Sequence, residues 1–580
     1  MKFTNLRIQW VLVYFISIIG AWFCIDSGHE FGDDFILYVD QAERFWDHAD
    51  YQWLQVENKY CMQQSDHLIG PYLYPRGFPF FLSLFIDLKD HLGWESIKFI
   101  NFLFFLLSSA VFFNRIGNKI KIKSEYLLII AILVLWNPKI WEASDRLQSD
   151  LFFASLVMFF WSVWWTDNGS KWVRWLLLVV LVFWATLTKT NGVLLLLPIG
   201  LQVFGALIEL VFKPTPESRS YLIKYTKVLH SRSMDGNLSI GFIFGSIGVV
   251  FAGVFALWIE RSTGANHWEE LLGGEVMHVW GSNFFQYWGM LGVLPGWHAI
   301  NVLKAVALVI RIPEIWVWVP CALLTIGVMI ALIKQEITSI GLEISLYIVL
   351  NLILLTIWPS QQGVRMLFPI YPLWILLLFL VMQQLGTSWH IRVKKFFIST
   401  IGRSIILITL LAQGSMTAMH YFKLDTNRAF SKEMVGLSQF IRDSTERNAV
   451  ISFFKPRLLR YQTERRVIRL ENTVDYSKDK LVLQLPVDIN VLLSAGVDYY
   501  IVPKEFKLFK PQTSSMKKLD VNSHALSDTQ GKSFKEQSKT MDPSRLTNPG
   551  NTFVKNDLDV NYPVVFENER FRVFHLWSSR

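Results

Sequence analysis

Runs of apolar residues too long for a soluble core dominate this chain. Residues 176–187, 193–212 and 344–358 are almost free of charge. About 20 such residues cross the hydrocarbon of a bilayer as a helix. Inside hydrocarbon the backbone must satisfy its own polar groups, and a helix does so within one segment. Repeated runs of this kind predict a polytopic helical membrane protein. Of the 580 residues, 52% are hydrophobic and only 18% charged, against roughly 25% charged in average soluble proteins.

Aromatic residues make up 15% of the chain, with 24 Trp. Trp10, Trp22, Trp136, Trp141, Trp172 and Trp358 lie near predicted helix ends, as an interfacial belt requires. The net charge of +9 does not point to nucleic acid. The cations sit in short loops between apolar runs and in the C-terminal part, where loop cations set membrane orientation, and no zinc-finger or aromatic–basic single-strand pattern accompanies them.

Lys2 and Arg7 precede the first apolar run, so the N-terminus is expected in the cytoplasm. The run lacks a small-residue cleavage site and reads as a retained helix. Spans are expected at 8–24, 97–113, 126–136, 151–165, a run ending near 187, 193–212, 240–259, 315–333, 340–358, 366–382 and 397–413. That is about 11 spans, with 13 also open. Each basic loop then falls on the cytoplasmic side, the last carrying Arg392, Lys394 and Lys395. Two large external segments result, 25–95 and 260–312, and residues 1–415 form one membrane domain.

From about residue 421 the pattern becomes soluble. Short strands are expected at 450–454, 467–470, 499–502, 564–566 and 572–576, and helices at 434–442 and 489–495. The fold class is therefore mostly α, a polytopic membrane bundle with a small C-terminal α/β domain over 421–580 outside the membrane. A polar stretch at about 508–550 reads as a flexible insertion.

Ionised groups at the membrane boundary are the candidate chemistry. Asp33 and Asp34 follow the first span in Gly32-Asp33-Asp34-Phe35-Ile36-Leu37-Tyr38. In a helix, Asp34 and Tyr38 share one face, and Asp33 and Asp40 another. A carboxylate there can take the proton of a sugar hydroxyl or help hold a divalent cation; the plain alternative is a helix cap. Asp150 abuts span four after Ser149, where capping is again the plain role. Glu142 and Asp145 nearby read more simply as solvated loop residues, with Asp145 kept as a cavity candidate beside Tyr38 and Tyr74. Arg76, Lys189 and Arg365 are external cations beside apolar walls. Arg offers a fork and Lys a point charge to a phosphate, while the plain role of each is snorkelling to lipid head groups.

Other signals are weaker. Cys24, Cys61 and Cys321 have no CxxC spacing; a Cys24–Cys61 disulfide is one external option. His267, His278 and His298 accompany Glu269, Glu270 and Glu275 without a zinc motif. No phosphate-binding GxxxxGK[ST] sequence occurs, which disfavours a nucleotide-driven pump.

Taken in order, several motifs resemble the polytopic glycosyltransferases of the GT-C fold. The nearest group is that of bacterial protein mannosyltransferases and aminoarabinose transferases. The motifs are Gly32-Asp33-Asp34 with Tyr38, Tyr74-Pro75-Arg76-Gly77-Phe78-Pro79, Asn137-Pro138 with Ser149-Asp150, Thr188-Lys189-Thr190-Asn191-Gly192, and Arg365 with Pro369 and Pro372. The stretch Phe454-Lys455-Pro456-Arg457 with Glu464-Arg465-Arg466 is similar to the external domain of such enzymes. The resemblance implies a polyprenyl-phosphate sugar donor and transfer outside the cytoplasm of the bacterial inner membrane, with inversion. Asp33 or Asp34 would be the base or a cation partner, Asp150 the second acid, and Arg76 and Lys189 partners of the donor phosphate. Arg76-Gly77 stands where the aminoarabinose enzymes usually show Lys-Pro-Pro, a departure bearing on both sugar and role. A divalent ion at Asp33 and Asp34 is the one candidate cofactor. Expected partners are membrane lipids and a lipid, polysaccharide or protein acceptor. The rival readings are a lipid-linked oligosaccharide polymerase or ligase, a transporter or flippase, and a scaffold whose tail binds envelope partners.

Overall fold

The computed structural model describes residues 2–29, 33–65, 73–120, 122, 124–166, 170–203, 240–262, 286–291, 294, 339–357, 364–384, 429–470, 489–503 and 562–576. The expected spans 315–333 and 397–413, the insertion at 508–550, Cys321 and the cluster of His267, His278, His298, Glu269, Glu270 and Glu275 lie outside these residues. So does the side chain of Asp33. The chain divides into two units, one of Met1–Asn58 with Gly70–Phe430, the other of Lys59–Ile69 with Ser431–Arg580.

The first unit is helical. Its long apolar helices are α1 (Lys2–Cys24), α6 (Trp94–Ile120), α7 (Ser124–Leu135), α9 (Ser149–Trp164), α10 (Lys171–Thr188), α11 (Ile240–Ser262), α12 (Ser339–Thr356) and α13 (Tyr371–Gln384). Among the described residues, Trp94–Gly117 and Lys171–Thr188 are long and apolar enough to cross a bilayer, and seven shorter apolar helices accompany them. Among the described residues between α1 and α6 are four helices, α2 (Asp33–Glu43), α3 (His48–Gln64), α4 (Gly77–Ser83) and α5 (Leu88–Leu92). The described part of the segment between α1 and α6 is thus largely helical.

Helix α9 is central. Nearly all its side chains are buried, and it packs on α6 and α10. Phe152 stacks on Phe81 and Phe104 there, with ring centroids 4.3 and 5.2 Å apart. Several hydroxyls within the apolar helices bond back to their own backbone, as Ser155 does to Leu151 O and Ser162 to Met158 O. The outward faces of α1, α10 and α11 carry Phe15, Trp172, Leu176, Phe251 and Trp258, as contact with hydrocarbon requires.

Three local expectations change. The 137–150 loop contains a helix, α8 (Pro138–Ser144), because Asn137 caps it by accepting from Lys139 N and Pro138 occupies its first turn. The turn after α10 winds into a 3-10 helix over Thr190–Leu196. The span expected at 366–382 starts only at Tyr371, after a 3-10 turn at Val364–Leu367; Pro369 and Pro372 cannot donate to a helix begun earlier. Cys24 and Cys61 are both buried and free, so the disulfide option is not realised. Asp145, expected to be solvated, is 9% exposed. Its carboxylate accepts from Lys98 Nζ at 2.9 Å and from Asp26 N at 2.9 Å.

The second unit is α/β. Helix α14 (Lys432–Ser444) is capped by Ser431. It is followed by β1 (Val450–Ser452), α15 (Pro456–Thr463), β2 (Arg466–Ile468), α16 (Ile489–Ser494), β3 (Tyr499–Pro503), β4 (Val564–Glu567) and β5 (Phe571–His575). The strand order is β2-β1-β3-β5-β4. The β1 pairings with β2 and β3 are parallel, and β5 is antiparallel to β3 and β4. Val450, Ile468, Leu492, Tyr500 and Phe574 form its core.

Candidate functional site

The site is built on α2. Asp34, Tyr38 and Gln41 follow at spacings of four and three, which is one helical face. Asp33 opens the same helix. Asp40 points elsewhere; it is fully buried and paired with Arg44 Nε at 2.8 Å.

Asp34 is held on both oxygens. Tyr74 Oη donates to Oδ1 at 2.7 Å, and Arg365 Nη1 donates to Oδ2 at 3.2 Å. The Tyr38 ring stacks on that of Tyr74 with centroids 4.3 Å apart, and the Tyr38 hydroxyl meets Ser149 Oγ at 2.9 Å. Ser149 begins α9, and the next residue is Asp150. Lys189 Nζ donates to Asp150 Oδ1 at 2.5 Å. The same ammonium lies 3.2 Å from Met366 Sδ, and Met366 is the neighbour of Arg365. The contacts close into a circuit: 34 to 365, 366 to 189, 189 to 150, 149 to 38, 38 to 74, and 74 back to 34.

The electrostatics follow from this closure. Burial pushes the Tyr38 phenol well above its ordinary range, with Asp150 and Asp34 adding to the shift, so it stays neutral and serves as a hydrogen-bonding ring. Burial works against the Arg365 charge. The nearby Asp150, Asp34, Tyr38 and Tyr74 outweigh it and raise the guanidinium above its usual value. Arg365 therefore feels both acids and bonds to Asp34.

Two glycines permit the circuit. A Cβ on Gly77 would lie 2.5 Å from Thr188 Oγ1 and 2.7 Å from the Leu187 carbonyl carbon. The start of α4 thus lies directly on the end of α10, next to Lys189, and Trp184 Nε1 donates to Gly77 O at 2.9 Å. A Cβ on Gly192 would lie 2.4 Å from the Ala185 carbonyl carbon, so only glycine allows the chain to fold back after Lys189. The Lys189 backbone is extended, at φ −151° and ψ 136°; this turns its side chain away from the α10 ladder.

Of the sequence candidates, the structure brings together Asp34, Tyr38, Tyr74, Asp150, Lys189 and Arg365. Arg76 stands two residues beyond Tyr74, with its guanidinium 4.7 Å from the Tyr51 ring centroid. Asp145 belongs to a separate clamp, in which the fully buried Lys98 ammonium also donates to Asp26 O and Gly28 O at 2.8 and 2.7 Å. Glu142 pairs with Lys139 and Arg146. Gln41, Met366 and Lys98 had not been singled out. Gln41 carries a signal, its seven-residue spacing from Asp34; Met366 and Lys98 carry none.

No group of three or more His, Cys, Asp or Glu is gathered among the described residues. Each Asp34 oxygen accepts a hydrogen bond, one from Tyr74 and one from Arg365.

No family model matches the sequence, and no curated protein matches it. Solved structures do. ArnT from Cupriavidus metallidurans in the apo state aligns with a TM-score of 0.50 at 12% identity, covering 98% of this chain and 98% of that one. ArnT from the same organism bound to undecaprenyl phosphate gives 0.49 at 11% identity, again over 98% of both chains. The archaeal oligosaccharyltransferase AglB from Archaeoglobus fulgidus, in complex with an inhibitory peptide and a dolichol-phosphate, gives 0.44 at 12% identity over 85% of this chain and 69% of that one. The chain has the GT-C fold over most of its length.

Proposed function

We propose that the chain is an inverting glycosyltransferase that moves a sugar from a polyprenyl-phosphate carrier to an acceptor outside the cytoplasm. The observation that carries this reading is the joining of two carboxylate–cation pairs, Asp34 with Arg365 and Asp150 with Lys189. They come from four separate stretches of sequence and are bridged by Tyr38, Tyr74 and Ser149. The GT-C fold agrees with it, and so does the order of motifs that resembles the bacterial aminoarabinose and mannosyl transferases.

In this reading Asp34 takes the proton of the acceptor hydroxyl as its oxygen attacks the anomeric carbon. The bond from that carbon to the phosphate oxygen breaks on the opposite face, and the phosphate leaves with the electron pair. Lys189, Arg365 and Arg76 are the cations available to its growing charge, with Arg365 supplying a fork and Lys189 a point charge. Asp150 holds Lys189 in place. Asp33 is the neighbouring acid at the start of the same helix. No step is routed through a metal ion.

Residues 1–415 are the catalytic membrane part and 421–580 the extracytoplasmic α/β domain. The protein sits in a bacterial inner membrane with its N-terminus in the cytoplasm. Its acceptor is a lipid, a polysaccharide or a protein.

The test is mass spectrometry of envelope lipids and glycans from cells with the unaltered protein, with Asp34→Asn and with Asp150→Asn. A sugar-mass increment that depends on the unaltered chain, and falls by about 10²-fold or more in Asp34→Asn, supports the reading. Identical spectra with and without the chain sink it. Addition of long saccharide chains rather than one sugar would move the assignment to a polymerase or ligase.

A further inference from the structure

Gln41 is a fully buried amide on the Asp34 face of α2, and its polar atoms are spent on the Tyr74 backbone and the Tyr51 hydroxyl. Its Oε1 accepts from Tyr74 N at 2.9 Å. Its Nε2 donates to Tyr74 O at 2.9 Å and to Tyr51 Oη at 3.0 Å. The side chain thus clasps both backbone groups of Tyr74, as a neighbouring strand would. Tyr74 sends its hydroxyl to Asp34. Tyr51 lies under the Arg76 guanidinium. One amide therefore governs where the Tyr74 hydroxyl meets the acid and where the Tyr51 ring meets the cation.

We infer that Gln41 is a positioning residue for transfer, acting through Tyr74 on Asp34 and through Tyr51 on Arg76. The inference rests on the glycosyltransferase reading above and extends it to a residue that touches none of the reacting atoms. The geometric reason is direct. The segment 73–76 precedes α4 and has no regular backbone pairing of its own, so the amide supplies the missing partner. A buried amide satisfied on both sides fixes its neighbours more tightly than packing alone. Small displacements of groups that orient a reacting acid are costly in rate, reaching about 10²-fold for a shift of about 1 Å.

The test uses isolated membranes, which contain their own polyprenyl-linked donors and acceptors. They carry the unaltered chain, Gln41→Leu, Gln41→Glu, Tyr74→Phe or the Gln41→Leu/Tyr74→Phe pair, and sugar transfer is followed by mass spectrometry. Gln41→Leu is expected to lower turnover by about 10²-fold, chiefly in kcat. If its effect runs through Tyr74, the pair is less than multiplicative. Gln41→Glu gives the distinctive readout. A protonated carboxyl can donate to Tyr74 O and accept from Tyr74 N, as the amide does; an ionised one repels Tyr74 O. Its transfer relative to the unaltered chain at the same pH is therefore expected to rise as pH falls from about 8 to about 5, towards the glutamate range.

A flat ratio across that range overturns the inference, even if Gln41→Leu fails to accumulate. So does full turnover in Gln41→Leu. If membranes with the unaltered chain show no chain-dependent transfer, the glycosyltransferase reading itself falls. Transfer that is present but indifferent to Gln41 removes the positioning role alone.

Discussion

Asp34 has each of its oxygens occupied, one by a phenol and one by a guanidinium. Both partners are tunable. Arg365→Lys keeps the charge but loses the planar fork that reaches Asp34 while facing Asp150. Sugar transfer in membranes is expected to fall by about tenfold or more, the cost of a weakened charge-assisted bond; transfer equal to that of the unaltered chain would show that the fork is dispensable. Asp145 makes a pH prediction. Burial pushes its carboxyl up to about 6, against the pull of Lys98 and the Asp26 amide. The folded chain then holds this proton more tightly than the unfolded one, so the group adds stability as pH falls from about 6 towards its ordinary value near 3.8, and the addition is absent above 6. Infrared difference spectra should show a protonated carboxyl band lost near pH 6 and missing in Asp145→Asn. The acids and cations were legible in the sequence because ionised residues beside apolar runs stand out. Their partners were not. Asp34 and Arg365 are 331 positions apart, and no local pattern encodes such a pairing. Asp145 was misread for the same reason, since Lys98 lies within an apolar helix with nothing nearby in sequence to announce it.

At the scale of elements, close contact between α4 and α10 depends on Gly77. Gly77→Ala would drive a methyl group into the Leu187–Thr188 backbone. Backbone cannot swing aside as a side chain can, so the expected loss is about 1–3 kcal/mol of stability, with a fall in transfer as Lys189 shifts. A thermal unfolding midpoint in detergent matching that of the unaltered chain would show that α4 gives way freely. Element type was largely legible. The long apolar runs became α1, α6, α7, α9, α10, α11, α12 and α13, and the five short strands formed one sheet. Helix α15 was missed. Its sequence Pro456-Arg457-Leu458-Leu459-Arg460-Tyr461-Gln462-Thr463 is short and polar, yet Arg457 and Arg460 are buried, so burial does not follow the usual division of apolar inside and charged outside. The helix inside 137–150 was overlooked because it is only about two capped turns, below the length at which periodicity speaks.

At the scale of the molecule, the parity of basic loops predicts a topology that can be tested from outside the cell. A single cysteine placed at Ser65, in a chain lacking Cys24, Cys61 and Cys321, should react with an impermeant maleimide in intact inner-membrane preparations opened on the outer side. One at Lys119 should react only after permeabilisation. The reverse pattern would turn the whole arrangement over. The circuit of contacts around Asp34 has a further consequence. Two negative and two positive side chains stand in it, so their fields largely cancel a short way off. Such an arrangement exerts little long-range pull on an ionic visitor, and adding salt should hardly alter how often one arrives. On the proposed function, encounter would then be set by lateral drift within the lipid sheet, and a thinner supply of lipid-linked donor, rather than a saltier medium, is what would slow this protein.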